Sequence, residues 1–408
     1  MALSVDNALK TISELIVNPK FEIIPIEESI NRICAQDINA KLALPRFNNS
    51  AMDGYGFRFE DINKELNIID TVFAGDNKDI TLKEATCIKI MTGAVVPDDV
   101  NVIAPKENCT VLDNGNILIN DKTLKEYSHI RFVGEDVNID DKVLSKGDEI
   151  NFADITLLSS QGISYISVYK KPKVVVFASG EELKLHYEKI EDHQIYNSNT
   201  PTFLTRCKEF NCDVTFIGQA RDSIESLQEL IKNSLDADLI VTSGGVSVGD
   251  ADFTNEAFLS LDFKQIFRGI EIKPGKPTIF GKIENTFILN LPGNPLASAL
   301  IFEVFGKVLL QKLLGSNSIF HGTINAKLGT DLKNKKGRIT IIPGLFDGEY
   351  FFPEDKRLPG MVSTLSRSNC MIALNEDVSS LKKDATVKLL PINWKFFRKD
   401  YKDFITYE

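Results

Sequence analysis

The chain has 408 residues, 43% hydrophobic, with a formal net charge of −10. That length implies several domains with ample cores, and the acidic balance excludes a general nucleic-acid binder, so an anionic ligand must find a local basic pocket. Six cysteines without a C-x-x-C pair, four histidines without metal spacing, and no membrane-length apolar run or signal-like start point to free thiols, no zinc site and a cytoplasmic protein away from any membrane.

Val5, Ala8, Leu9, Ile12, Leu15 and Ile16 recur at helical spacing, with Ser4 or Asp6 as the cap and Asn18-Pro19 as the stop. Ile23–Ile26 reads as a strand, and the extended segment 41–45 as a linker. The loop 47–56 then carries Asp53, an acid between apolar neighbours, before the strand Tyr55–Phe57. From 66 to 135, short β-like runs separated by Gly, Asn and Asp turns predict an inserted β-rich lobe, spanning 47–135. Thr92 ends one of its strands in a small polar turn. Residues 136–170, opening on Asp136 and holding a helix over Phe152–Gln161, return to the first unit, 1–46.

From 173 to 241, strands alternate with helices: Lys173–Ala178, helix Asn199–Phe210, Cys212–Ile217, helix Ile224–Leu235, Asp238–Val241. This order predicts a doubly wound parallel α/β domain over 171–319, whose ligands sit beyond the strand carboxyl ends. Three loops at that edge suit a polyanion. Ser243, Gly244, Gly245, Ser247 and Gly249 form a glycine-rich turn after a buried strand, a backbone nest for phosphate. Asp250 and Asp252 follow it, so the same stretch carries cation-binding chemistry. Lys273 and Lys276 stand on a Pro-bracketed turn, and Pro292, Gly293, Asn294 and Pro295 lead into a helical pattern over Ala297–Leu310, whose first N–H groups suit an anion. Residues 320–408 turn back to β character, a small C-terminal β-barrel domain, with a basic and aromatic tail from Trp394.

Each feature has a plainer reading: a strand–helix turn for 243–252, caps for Asp222 and Asp252, a turn acid for Asp53, a solvated lysine for Lys276. Taken together they resemble one family. The segments 243–252, 273–277 and 291–298, with 47–55, 91–94, 134–136, 179–183 and 195–199, are similar in order and spacing to the signatures of the molybdopterin molybdotransferases, the MoeA family that includes the gephyrin E-domain.

The resemblance implies an L-shaped homodimer of four-domain subunits, with a dimerisation and linker unit at 1–46 and 136–170. It implies insertion of molybdenum from molybdate into adenylylated molybdopterin, with release of AMP and help from Mg2+. Glu182, Asp222 and Asp252 become the candidate metal ligands, because carboxylates beside a polyanion call for a shared hard cation. Lys273, Lys276 and Arg268 would supply positive charge, each charge-assisted contact adding about 1.5–3 kcal/mol. Asp53 and Thr92 would reach the pocket from the partner subunit, and Asp136 matches a further family position. Molybdopterin adenylyltransferase is the implied protein partner. Gly337-Arg338 fits the family pattern, but Pro343 stands where the family often has a second arginine, leaving Arg338, Arg357, Arg367 and Ser368 as candidate contacts. Two alternatives stay open on sequence alone: the preceding adenylylation step, and a non-enzymatic dimeric scaffold of the gephyrin E-domain type.

Overall fold

The computed structural model describes residues 2–220, 223–245, 253–393 and 405–406. The chain divides into two units, one of Met1–Ala35, Gly147–Ile150 and Ile166–Glu408, the other of Gln36–Lys146 and Asn151–Tyr165.

The first unit opens with helix α1 (Val5–Ser13), capped as expected by Ser4, whose hydroxyl accepts the N–H of Asn7. Its centre is a 6-stranded sheet. In chain order the strands are β1 (Lys173–Ser179), β2 (Asp213–Ala220), β3 (Leu239–Ser243), β4 (Lys264–Arg268), β5 (Ile279–Ile283) and β6 (Thr286–Leu291). Their spatial order is β2-β1-β3-β6-β5-β4. The first four in that order run parallel, while β5 and β4 continue the sheet antiparallel.

Strand alternation sends every second side chain to the same face. Val174, Val176, Leu239, Val241, Leu289 and Leu291 therefore face one core. Helices α2 (Asn199–Glu209), α5 (Pro295–Ile301) and α6 (Lys307–Leu314) supply Phe203, Leu300 and Leu309 to it. Val175, Phe177, Ile240 and Ile288 face the other core, with Leu227 and Ile231 of α3 (Ile224–Lys232) and Phe258 of α4 (Phe253–Leu259). Each such side chain contributes about 1.5–3 kcal/mol by leaving water. The doubly wound arrangement is thus present, with an antiparallel edge added.

The helix expected over Ala297–Leu310 is interrupted. Phe302–Gly306 forms a wider, π-type turn between α5 and α6. The carbonyl of Val304 in that turn meets His321 Nε2 at 2.7 Å. A side chain that takes a helix carbonyl from outside relieves it of its regular i+4 partner.

The C-terminal strands are β7 (Ile324–Leu328), β8 (Ile339–Phe346), β9 (Tyr350–Pro353), β10 (Cys370–Leu374) and β11 (Thr386–Pro391). They pair in the order β8-β9-β7-β11-β10, and β10 pairs back onto β8, closing a barrel around Leu328, Ile342, Phe351, Ile372 and Leu389. Pro343 sits inside β8, opposite Met371, where its carbonyl accepts the N–H of Glu354. The short strand Ile272–Lys273 runs parallel to the start of β8, pairing Lys273 with Thr340.

The second unit is built on a 4-stranded sheet of Asn67–Val72, Thr86–Ile90, Gly54–Phe57 and Val102–Pro105. Tyr55, Phe57, Cys87 and Val102 fill the core on one face, Ile88, Ile90 and Ile103 that on the other. Its helix, Phe152–Ser160, starts in a capping box between Asn151 and Asp154.

Cysteines are free throughout, and all but Cys109 are buried. Burial pushes the thiols of Cys87 and Cys207 up to about 12, so they stay protonated and inert at neutral pH. Among the described residues, no helix is long and apolar enough to cross a membrane.

Candidate functional site

The carboxyl ends of β1, β3 and β6 converge on a cavity of about 500 Å³. Ser179, Gly180, Ser243, Gly244, Gly245 and Gly293 line it. Gly244 is in the positive-φ region at 100° because the turn must clear the end of β1; a Cβ there would lie 2.5 Å from the Ser179 carbonyl. Its N–H donates to the Leu291 carbonyl at 3.2 Å, tying the turn after β3 to the end of β6. Gly245 (φ 62°) lies against Thr254, where a Cβ would overlap the hydroxyl. The N–H of Gly245 makes no hydrogen bond to another described residue.

Asn199, at the start of α2, holds these turns together. Its amide donates to Ser243 Oγ at 3.1 Å and to the Gly293 carbonyl at 2.8 Å, while Ser298 Oγ donates to its Oδ1 at 3.1 Å. Gln219, near the end of β2, plays a similar part. Its Nε2 donates to the carbonyls of Gly180 and Leu183, fixing the turn that carries Glu182. The Glu182 side chain lines the cavity and folds back so that a Cβ on Gly180 would be 2.8 Å from its Oε2.

A second cavity, of about 630 Å³, lies between the Lys273–Pro277 turn and the barrel. Its cations are Lys273, Lys276, Lys333, Lys335, Arg338 and Arg357, and among the described residues no carboxylate lines it. Arg357 donates to the Glu354 carbonyl at 2.7 Å, a contact that fixes the guanidinium without neutralising it. The two cavities share Pro277, Pro292 and Asn294.

The residues expected from sequence fall into five groups. Ser243, Gly244, Gly245, Pro292, Gly293, Asn294, Pro295 and Glu182 meet at the first cavity, and Lys273 and Lys276 at the second. Arg268 stands at the end of β4 and lines neither. Asp222, Ser247, Asp250 and Asp252 lie outside the described residues. Asp53, Thr92 and Asp136 belong to the other unit. There, Asp53 Oδ1 accepts the Thr92 N–H at 2.9 Å and its hydroxyl at 2.8 Å. Those two donors hold the Asp53 carboxyl below its ordinary value, so it is ionised at neutral pH. Asp136 is exposed.

One expectation is corrected. The first-turn N–H groups of the helix after Asn294 do not stand open to an anion, because those of Leu296 and Ala297 donate to the Pro359 carbonyl at 2.9 and 3.3 Å. Anion contacts must come from the glycine turns and the neighbouring cations instead. Sequence reasoning gave no role to Asn199, Gln219, Lys333 or Lys335; their register against β3, β2 and the barrel is the missing information.

A divalent cation is compatible with the donors present. Glu182 supplies a carboxylate, Ser179 and Asn197 add oxygen atoms, and the Thr254 hydroxyl is buried without a partner among the described residues. Hard oxygen donors, with no thiol or imidazole among the described residues at this cavity, suit magnesium. Among the described residues, no group of three or more His, Cys, Asp or Glu side chains forms a metal cluster by itself.

Glycine turns at the carboxyl edge of a doubly wound sheet, beside a basic cleft against a barrel, are an arrangement suited to an extended polyanion. Comparison with known proteins sharpens this reading. Residues 3–162 match the MoeA N-terminal region (domain I and II), 173–312 the probable molybdopterin binding domain, and 325–392 the MoeA C-terminal region (domain IV). The chain is 32% identical to the molybdopterin molybdenumtransferase of Haemophilus influenzae, over 96% of this chain and 99% of that protein. It is 31% identical to that of Staphylococcus epidermidis, over 91% of each. Two crystal structures of molybdopterin biosynthesis MoeA protein, from Pyrococcus horikosii and Pyrococcus horikoshii OT3, superpose with TM-scores of 0.81 and 0.83. They are 29% and 25% identical, covering 97% and 96% of this chain and 100% of each. The chain belongs to the MoeA family.

Proposed function

We propose that this protein transfers molybdenum from molybdate to adenylylated molybdopterin, with release of AMP. One observation carries the reading. A pocket of glycine turns and small polar groups adjoins a cleft of unneutralised cations, and both are walled by Pro277, Pro292 and Asn294. A substrate joining phosphates to a heterocycle needs the first, and a small oxyanion brought beside it needs the second.

The chain's own groups divide the work. The Gly244–Gly245 turn, held by Asn199, sets backbone beside the phosphates, and Lys273, Lys276, Arg338 and Arg357 draw in the oxyanion. Glu182, with Asp222 and Asp252, would hold a magnesium ion. A bound ion would supply positive charge to offset that of the phosphates. The ionised Asp53, fixed by Thr92, serves the same reaction. The working molecule is a homodimer, a reading supported by Ile16, Phe21 and Ile23, which are 88%, 63% and 66% exposed in the first unit. Molybdopterin adenylyltransferase, the source of the adenylylated substrate, is the partner this function calls for.

The test is oxyanion binding. Lys276→Ala and Arg338→Ala should each weaken molybdate binding, measured by equilibrium dialysis, by roughly tenfold or more, the value of a charge-assisted contact. Wild-type affinity in both variants would remove the cleft from the reaction.

A further inference from the structure

We propose that Tyr196, with Leu183 and Ile195, forms a stacking wall that takes the flat heterocycle of the substrate. This rests on the reading above, that the first cavity holds a phosphate-linked heterocycle.

The cavity's lining holds two unlike kinds of surface. One is made of the turns at Gly244, Gly245 and Gly293, with little side chain and much backbone. That surface suits phosphate oxygens and offers nothing for a ring to lie on. The other is made of Leu183, Ile195 and Tyr196. Ile195 and Tyr196 are large side chains left 54% and 45% exposed. Leaving such surface in water is unfavourable unless something covers it.

The wall is also rigid. Leu183 pairs with Ile195, and Lys184 with Tyr196, in a short parallel ladder. The Ile195 N–H donates to the Glu182 carbonyl at 2.9 Å, and the Asn197 N–H to the Lys184 carbonyl at 2.7 Å. Tyr196 Oη donates to the Glu188 carbonyl at 3.1 Å. With its hydroxyl engaged on its own strap, the phenol ring is fixed in direction, and what remains for a ligand is apolar ring surface. An oriented aromatic ring beside an anion cradle is the arrangement by which proteins hold a base by stacking and its phosphates by hydrogen bonds. Pterin and adenine share the required chemistry, a planar nitrogen heterocycle.

The experiment compares ligand affinities by calorimetry for the full-length wild type, Tyr196→Ala and Tyr196→Phe, with molybdopterin, AMP and pyrophosphate as probes. Loss of a base–aromatic stack predicts a decrease of about 5- to 100-fold in Tyr196→Ala. The decrease should fall on molybdopterin if the pterin is stacked and on AMP if the adenine is. Tyr196→Phe should stay within about threefold of wild type, because it keeps the ring. Pyrophosphate, which has no ring, should bind all three proteins alike. Unchanged binding of both heterocycles by Tyr196→Ala, or an equal loss for pyrophosphate, overturns the stacking role while leaving the pocket's function standing. Failure of the wild type to bind either heterocycle overturns the reading of the pocket itself.

Discussion

Asn199 and Gly293, 94 residues apart, are joined by a 2.8 Å hydrogen bond from the Asn199 amide to the Gly293 carbonyl. Through this bond and its neighbour to Ser243, one side chain sets the distance between two loops of the candidate site. Asn199→Ala would take a donor from the Gly293 carbonyl and from the Ser243 hydroxyl, while Ser298 keeps the Pro295 carbonyl. A buried polar group without a partner costs about 1–3 kcal/mol. The variant should therefore melt several degrees lower and lose roughly 10- to 100-fold in kcat/KM. A wild-type melting curve with wild-type kinetics would remove Asn199 from both roles.

Gly245 marks the point where the pocket tolerates no side chain. Gly245→Ala meets a positive φ of 62° and the buried hydroxyl of Thr254 at once. The backbone strain alone is about 1–2 kcal/mol. Ligand binding should be lost in Gly245→Ala and partly restored in Gly245→Ala/Thr254→Gly, which removes both the hydroxyl and the Cβ that the new side chain would meet but keeps the strain. Calorimetry with molybdopterin separates the two, and equal binding by the single variant and the wild type would contradict the crowding.

Much of this architecture was legible in the sequence, for identifiable reasons. The parallel strands are short apolar runs between turn residues, and the anion-suited loops are dense in Gly and Pro. The antiparallel strands β4 and β5 escaped because their signals are weak. The hairpin between β5 and β6 turns at Glu284, which adopts φ 51° without being Gly, Asn or Asp. The capping of Leu296 and Ala297 by the Pro359 carbonyl escaped for another reason: it joins positions more than sixty apart, a contact no local pattern records. Lys333 and Lys335 look like solvated lysines until barrel closure places them beside Lys273 and Lys276.

The barrel is fastened to the central domain by a buried ion cluster. Arg206 Nε donates to Glu303 Oε1 at 2.7 Å, and its Nη2 donates to Glu303 Oε2 at 3.0 Å and to the Ile392 carbonyl at 3.3 Å. Lys307 lies 3.3 Å from the same carboxylate and donates to the Pro391 carbonyl at 3.2 Å. Glu303→Ala leaves Lys307 without a carboxylate and Arg206 with only the more exposed Glu209, although just 17% of each cation's side chain is exposed. Removing one partner of a buried pair destabilises by about 3–5 kcal/mol. A urea midpoint within error of wild type would show that the cluster does not fasten the domains.

Asp53 gives a pH prediction in the second unit. The Thr92 N–H, then its hydroxyl, lower the Asp53 carboxyl from an ordinary value of 3.8. A depressed folded-state value means the stabilisation is present above the unfolded value and disappears as pH falls through the folded one. Stability and activity should therefore show no Asp53 transition between about pH 5 and pH 8. Thr92→Val removes the hydroxyl donor but keeps the N–H, and should move the Asp53 titration upward toward 3.8, read by carboxyl-carbon NMR. An unmoved titration would mean the hydroxyl contributes nothing.

Metal insertion coupled to loss of AMP tests the whole account. Purified protein would be mixed with adenylylated molybdopterin, molybdate and magnesium, and AMP and pterin-bound molybdenum followed together. The account predicts that both rise in equal amounts in the wild type, and that neither rises in Glu182→Ala although that variant remains folded. Molybdenum loading without AMP release, or full turnover by Glu182→Ala, would contradict it.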